Sequence, residues 1–216
     1  MKPAALILDF DGPIADAFHD LPTEELLERS HRLLIERGWQ PSAIPDDGDA
    51  LTLVQSVNRV DPKAGQDLER MISDAEASTI PNAPDTPGAL DLIRTTLQAG
   101  FPVAVASNNS TGAIRSWLDQ RSLGDRITCV VARANSTVAL MKPDPAYLLE
   151  VAAELGVKPS RCIFVGDSLS DATAAERAGM PFVAYANRPD KVDLFMREPH
   201  TAVVGEMAEV CALLAA

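Results

Sequence analysis

This chain is short of basic charge, of cysteine and of long apolar runs, and each shortage excludes something. Lys and Arg number 19 against 31 Asp and Glu, a formal net charge of −12. Nucleic acid and anionic lipid both require basic patches, so neither is expected as the main partner. An anionic substrate must then be drawn in by local groups, a metal ion or a lysine, and not by the field of the whole protein. The three cysteines, Cys129, Cys162 and Cys211, lie far apart without zinc-type spacing and read as reduced thiols. No apolar stretch approaches the ~20 residues of a membrane span. The first apolar run is too short for a secretory leader and is closed by acids, so a cytoplasmic protein is expected.

What is present is an ordinary globular balance, 46% hydrophobic and 23% charged, in 216 residues. That is enough for one good core and a smaller second unit. The organising stretch is 4–16, AALILDFDGPIAD. Its apolar run leads straight into Asp9 and Asp11, and Gly12-Pro13 stops any strand. Alternation along an extended chain sends both acids to one side and Phe10 to the other. Two carboxylates so close need a cation or hydrogen-bond donors nearby if both are to stay ionised.

Residues 17–80 then change character. Thr23 is placed to cap a helix over 23–37, with Glu24 and Glu25 in its first turn and Gly38 as a stop. A loop over 41–49 and a short helix over 50–60 follow. Leu68, Met71, Ile72 and Ala75 lie at i, i+3, i+4 and i+7 of an amphipathic helix. With no convincing strand, 17–80 reads as a small all-helical insert, leaving 1–16 and 81–216 as the main domain. From Pro81 helices and strands alternate. Strands are expected at 102–106, 127–132, 161–165 and 181–185, with a last edge strand at 201–204. Helices are expected from Asp85-Thr86-Pro87 to Gly100, over 110–120, from Asp144 to Gly156, over 170–178 and over 207–215. This alternation predicts an α/β fold with a doubly wound parallel sheet. Trp39 and Trp117 read as packing residues.

Polar residues follow several strands at once: Asp9 and Asp11, then Ser107-Asn108-Asn109, then Lys142, then Gly166-Asp167-Ser168 with Asp171 beyond. In a parallel sheet these tips share one edge and converge on one crevice. Acids, a lysine and a small hydroxyl suit phosphoryl transfer. Mg²⁺ takes carboxylate and phosphate oxygens, a carboxylate can act as nucleophile, and a lysine can hold the spread charge of the transferring group.

In order, DFDGPIAD, SNN after a strand, MKPDP and VGDSLSD resemble the four motifs of the haloacid dehalogenase-like superfamily, in its phosphatase branch with a helical cap between the first two. The resemblance runs from Leu6 to about Gly179. It implies a Rossmann-like core and a Mg²⁺-dependent phosphatase acting on a small phosphorylated metabolite through an aspartyl-phosphate. It also implies roles. Asp9 would be the nucleophile and Asp11 the general acid and base. Ser107 and Asn108 would contact the phosphate, and Lys142 would pair with nucleophile and phosphate. Mg²⁺ would be held by Asp9, Asp11, Asp167 and Asp171, Asp11 through its backbone carbonyl and Asp171 as second acid or outer support. Dehalogenases of the superfamily lack an acid at position 11, which favours phosphate-ester chemistry. One departure is Pro13, where the family usually has threonine or sometimes valine. Proline removes an N–H and fixes φ.

Each residue also has a plainer reading. Asp144 and Asp171 suit helix starts, and Ser107 suits a turn. Two residues outside the motifs are further substrate-binding candidates: His19, at the entry to the insert, and Arg133, which follows the 127–132 strand and could grip an anion bidentately. The same core would serve a phosphomutase or a non-catalytic module. The substrate and the oligomeric state are not readable.

Overall fold

A computed structural model describes residues 2–134 and 136–215. Six strands, β1 Ala5–Leu8, β2 Val103–Ser110, β3 Val130–Arg133, β4 Cys162–Gly166, β5 Phe182–Tyr185 and β6 Ala202–Val204, form one sheet in the order β3-β2-β1-β4-β5-β6. Every pairing is parallel. Strand order reverses between β1 and β4, the position at which doubly wound sheets open a crevice beyond their carboxyl ends. Leu8 pairs with Val105 on one side and Val165 on the other. Asp9, Ser107 and Asp167 therefore lie within two residues of that level, Ser107 still paired with Ala132 of β3.

The helices are α1 Thr23–Glu36, α2 Ala50–Val60, α3 Pro62–Thr79, α4 Ala89–Gln98, α5 Thr111–Gln120, α6 Ala146–Glu154, α7 Leu169–Ala178, α8 Pro189–Phe195 and α9 Ala208–Ala215. The period of two along the strands sorts their contacts. Leu6, Leu8, Val103, Val105 and Val165 pack on one face with Leu92, Ile114, Trp117 and Val210 of α4, α5 and α9. Ala5, Ile7, Ala104 and Phe164 pack on the other with Tyr147, Val151, Ala174 and Ala175 of α6 and α7. Both faces are covered, as near-continuous apolar strands require.

Helices α1–α3 lie between β1 and α4. The Asp49 carboxylate accepts from the N–H groups of Leu51 and Thr52, both at 2.9 Å, and starts α2. Asp61 ends α2 and caps α3 through Ala64 N at 3.0 Å, with Pro62 at the first helical position. Their apolar faces, with Leu26, Leu34, Leu53, Val57, Leu68 and Ile72, join the second core cluster. Each such side chain contributes about 1.5–3 kcal/mol by leaving water.

Several expected boundaries shift. Strand β2 runs on through the SNNS stretch, with a register irregularity between Ser107 and Ser110. Strand β3 starts at Val130; Ile127 is buried as its apolarity implies, but it precedes the pairing. Helix α4 starts at Ala89 because Gly88, at φ +82°, turns the chain there. Helix α1 has Pro22 at its N-cap, so the Thr23 hydroxyl makes no cap. Pro145, not Asp144, is the N-cap of α6, although the Asp144 carboxylate accepts from Ala146 N at 2.9 Å just before the helix. Helix α8 was not expected: seven residues give too little periodicity to read. The cysteines are free. Trp117 is buried edge-on to Phe10 and donates from its indole to the Ala83 carbonyl at 3.0 Å. Among the described residues no helix is long and apolar enough to cross a membrane.

Candidate active site

Asp9 follows β1, and its Oδ1 accepts from Phe10 N at 2.7 Å. The turn after it is held by its own amides. Gly12 N donates to Ala15 O, and Ile14 N and Ala15 N both donate to Phe10 O. These bonds hold the turn without a donor at residue 13. The Thr86 hydroxyl supplies a further tie, to the Gly12 carbonyl. Gly12 has φ +84°, and a Cβ there would fall 2.3 Å from Asp167 Oδ2. Only glycine meets both conditions. Asp11 Oδ1 accepts from Ala17 N at 3.0 Å.

Lys142 is the centre of the floor. It is 3% exposed, its ammonium lies 2.9 Å from Asp9 Oδ1 and 2.6 Å from Asp171 Oδ1, and it donates to the Ala106 carbonyl at 3.2 Å. Asn108 fixes its backbone from both sides, accepting from Lys142 N at 2.9 Å and donating to Lys142 O at 3.0 Å. Asp171 Oδ2 accepts from Asp167 N, Ser168 N and the Ser168 hydroxyl, closing a capping box at the start of α7. Asp171 thus both caps α7 and faces Lys142. The Ser107 hydroxyl is buried at the tip of β2, 3.2 Å from Asn109 Oδ1. Asp167 Oδ2 is paired with Lys191 of α8, a partner that no pattern in the sequence announced.

These groups line a cavity of about 530 Å³ roofed by α1 and α2. Asp9, Asp11, Ser107, Asn108, Lys142 and Asp167 line it, while Asp171 sits behind Lys142. Two other candidates stand elsewhere. His19 is exposed and contacts Asp16 at 3.2 Å, outside the lining. Arg133 is fully buried between β3 and α3, paired with Glu69 at 2.7 Å and with Glu76, and donating to the Asn108 carbonyl at 2.8 Å. Its guanidinium joins two layers of the protein instead of facing the cavity.

With every group ionised, the four carboxylates of Asp9, Asp11, Asp167 and Asp171 would outnumber the ammonium groups of Lys142 and Lys191 by two. Burial raises Asp9 to about 7; Lys142 opposes the rise, and Asp171 and Asp167 add to it. Burial, then the Asp167 and Asp9 charges, push Asp11 up to about 8. Burial also raises Asp167, against the pull of Lys191. Burial works against the Lys142 charge, but Asp171 and Asp9 outweigh it and hold the ammonium above its usual range. A divalent cation relieves such an excess. One oxygen each from Asp9, Asp167 and Asp171 lie within 4.8 Å of one another, an all-oxygen donor set that fits Mg²⁺.

A doubly wound sheet with an acid pair after its first strand, a buried lysine beneath and further acids beyond its fourth defines a hydrolase of the phosphoryl-transfer class. The chain belongs to the haloacid dehalogenase-like hydrolase family, whose model matches residues 4–179, and it is a phosphatase of that family. It is 30% identical over 196 residues to the phosphoglycolate phosphatase of Rhodospirillum rubrum, covering 84% of this chain and 78% of that one. With the phosphoglycolate phosphatase of Pseudomonas putida the identity is 28% over 193 residues, covering 84% and 68%. Among solved structures, CbbY from Rhodobacter sphaeroides in complex with phosphate superposes with a TM-score of 0.69 over 99% of this chain and 100% of that one, at 20% identity. This last likeness concerns the fold.

Proposed function

We propose that this phosphatase hydrolyses a small phosphorylated metabolite, with Mg²⁺ as cofactor and Asp9 as the covalent carrier of the phosphoryl group. The observation that carries the reading is the Lys142 ammonium lying 2.9 Å from Asp9 and 2.6 Å from Asp171 in the floor of a cavity that also holds Asp11, Ser107 and Asp167. Lys142 favours the ionised form of Asp9 against the effect of burial and faces the incoming phosphoryl oxygens. An Asp9 oxygen attacks phosphorus and the bond to the ester oxygen breaks. Asp11, whose raised pKa keeps it protonated near neutrality, gives its proton to the leaving oxygen. As a carboxylate, Asp11 then takes a proton from water. The water oxygen attacks phosphorus, the bond to Asp9 breaks, and inorganic phosphate leaves. The Ser107 hydroxyl donates to a phosphoryl oxygen. Asp9, Asp167 and the Asp11 carbonyl would hold Mg²⁺, with Asp171 supporting them from behind Lys142. When bound, the ion supplies Lewis-acid stabilisation of the phosphoryl charge.

Residues 17–80 serve in this reading as a cap over a core of 1–16 and 81–216, excluding water during the first transfer. The names of the bacterial relatives support a small phosphate monoester as substrate. The test is phosphate release from 4-nitrophenyl phosphate with Mg²⁺. Activity is expected to vanish in EDTA and to fall by on the order of 10³-fold or more in Asp9→Asn. An Asn variant working at the wild-type rate removes the nucleophile assignment.

A further inference from the structure

Six carboxylates line the cavity, from Asp9, Asp11, Glu24, Asp49, Glu76 and Asp167, and Lys142 is the only Lys or Arg among its described lining residues. Lys142 is engaged by Asp9 and Asp171. Glu76 is engaged by Arg133, Asn109 and the amide of Ser110. Glu24 and Asp49 are different: both are exposed, on the rim, at the starts of α1 and α2. A helix start normally favours an anion. Here those positions carry negative charge already. Asp49 takes the N–H groups of Leu51 and Thr52 itself, and the first turn of α1 holds Glu24 and Glu25. Between rim and floor the lining is mostly apolar, with Phe18, Leu21, Leu27, Leu51 and Ile72, interrupted by Gln55, whose amide donates to the Met141 carbonyl.

We infer that the alcohol released by this enzyme has an apolar body and carries no second negative charge, its far end being neutral or cationic. The inference rests on the monoester-hydrolase reading above and adds the class of leaving group. A carboxylate or second phosphate at the far end meets Glu24 and Asp49 with no side-chain cation to pair with. An alkyl body replaces water against the leucines, and an ammonium is drawn to the rim.

The test compares kcat/KM, with Mg²⁺, for n-butyl phosphate, O-phosphoethanolamine and 2-phosphoglycolate, with 4-nitrophenyl phosphate reporting the chemistry itself. Butyl phosphate and phosphoethanolamine are each expected to exceed phosphoglycolate by at least about tenfold, the effect of roughly one like-charge contact. The double variant Glu24→Lys/Asp49→Asn, whose asparagine still caps α2, is expected to raise kcat/KM for phosphoglycolate several-fold through KM. Phosphoglycolate turnover equal to either of the other two esters, or unmoved in the variant, overturns the inference while hydrolysis of the aryl ester leaves the parent reading intact. Failure of all four esters to release phosphate overturns the parent reading, and this inference with it.

Discussion

The floor and the roof of the cavity are built on opposite terms. The floor is built around acids that follow parallel strands, with lysines from a loop and from α8, and it binds its charges to one another: Lys142 to Asp9 and Asp171, Lys191 to Asp167. The roof comes from α1 and α2, is apolar inside and acidic at its exposed rim, and presents no cation to the cavity. Geometry explains the contrast. Strand tips in register can be aimed to within one residue, which a reacting centre needs. Helices laid over such a centre can change their inner face without disturbing the sheet. In the proposed function the floor carries the chemistry and the roof selects the molecule that receives it.

The tie between the sheet and α3, against which the roof helix α2 packs, can be broken at Arg133. In Arg133→Met, Glu69 and Glu76 are left buried without their cation, and urea denaturation is expected to show a loss of about 3–5 kcal/mol. Replacing both glutamates by leucine in that variant should restore most of it. A single variant as stable as wild type removes the tie. The strain confined to the floor is sharpened by Asp11→Asn. Because the folded-state pKa of Asp11 is raised to about 8, its contribution to stability is full below the ordinary carboxylate value. That contribution is lost as pH rises from about 4 to about 8. In EDTA at pH 7.5 the Asn variant should melt several degrees above wild type, the gap closing by pH 4. An identical melting profile across that range rejects the assignment. The smallest effect concerns Lys191, which neutralises Asp167, a ligand of Mg²⁺ in the proposed function. Lys191→Met should bind Mg²⁺ up to about fivefold more tightly by calorimetry, the equivalent of ~1 kcal/mol for a partly exposed pair. Unchanged affinity places Lys191 outside the metal's influence.

The floor was legible because its residues, Asp9, Asp11, Ser107, Lys142 and Asp167, follow short apolar runs, and the parallel sheet brings them together. The same cue misdirected the reading of Arg133. A charged residue after a strand looks like a ligand, while its partners Glu69 and Glu76 lie 64 and 57 residues earlier, on what reads as the solvated face of an amphipathic helix. Only tertiary packing shows that this face is covered. His19 misled through proximity in sequence, for the chain has already turned to the surface there. Lys191 was missed because α8 is a single short element with no periodicity to betray which side faces inward. The alternation of elements carried the fold class, and the boundaries moved where glycine or a register irregularity intervened, as at Gly88 and Ser107.

The two glutamates that grip Arg133 stand seven residues apart on α3, two turns of the same helix. A rod fastened at two points by charges shut away from water cannot pivot without exposing them. Helix α3 therefore behaves as a fixed back plate that travels with the sheet. Helix α2 packs along α3 and donates from Gln55 to the Met141 carbonyl at 3.1 Å, which leaves α1 the less tied of the two roof helices and the one expected to set the bulkiest acceptable guest.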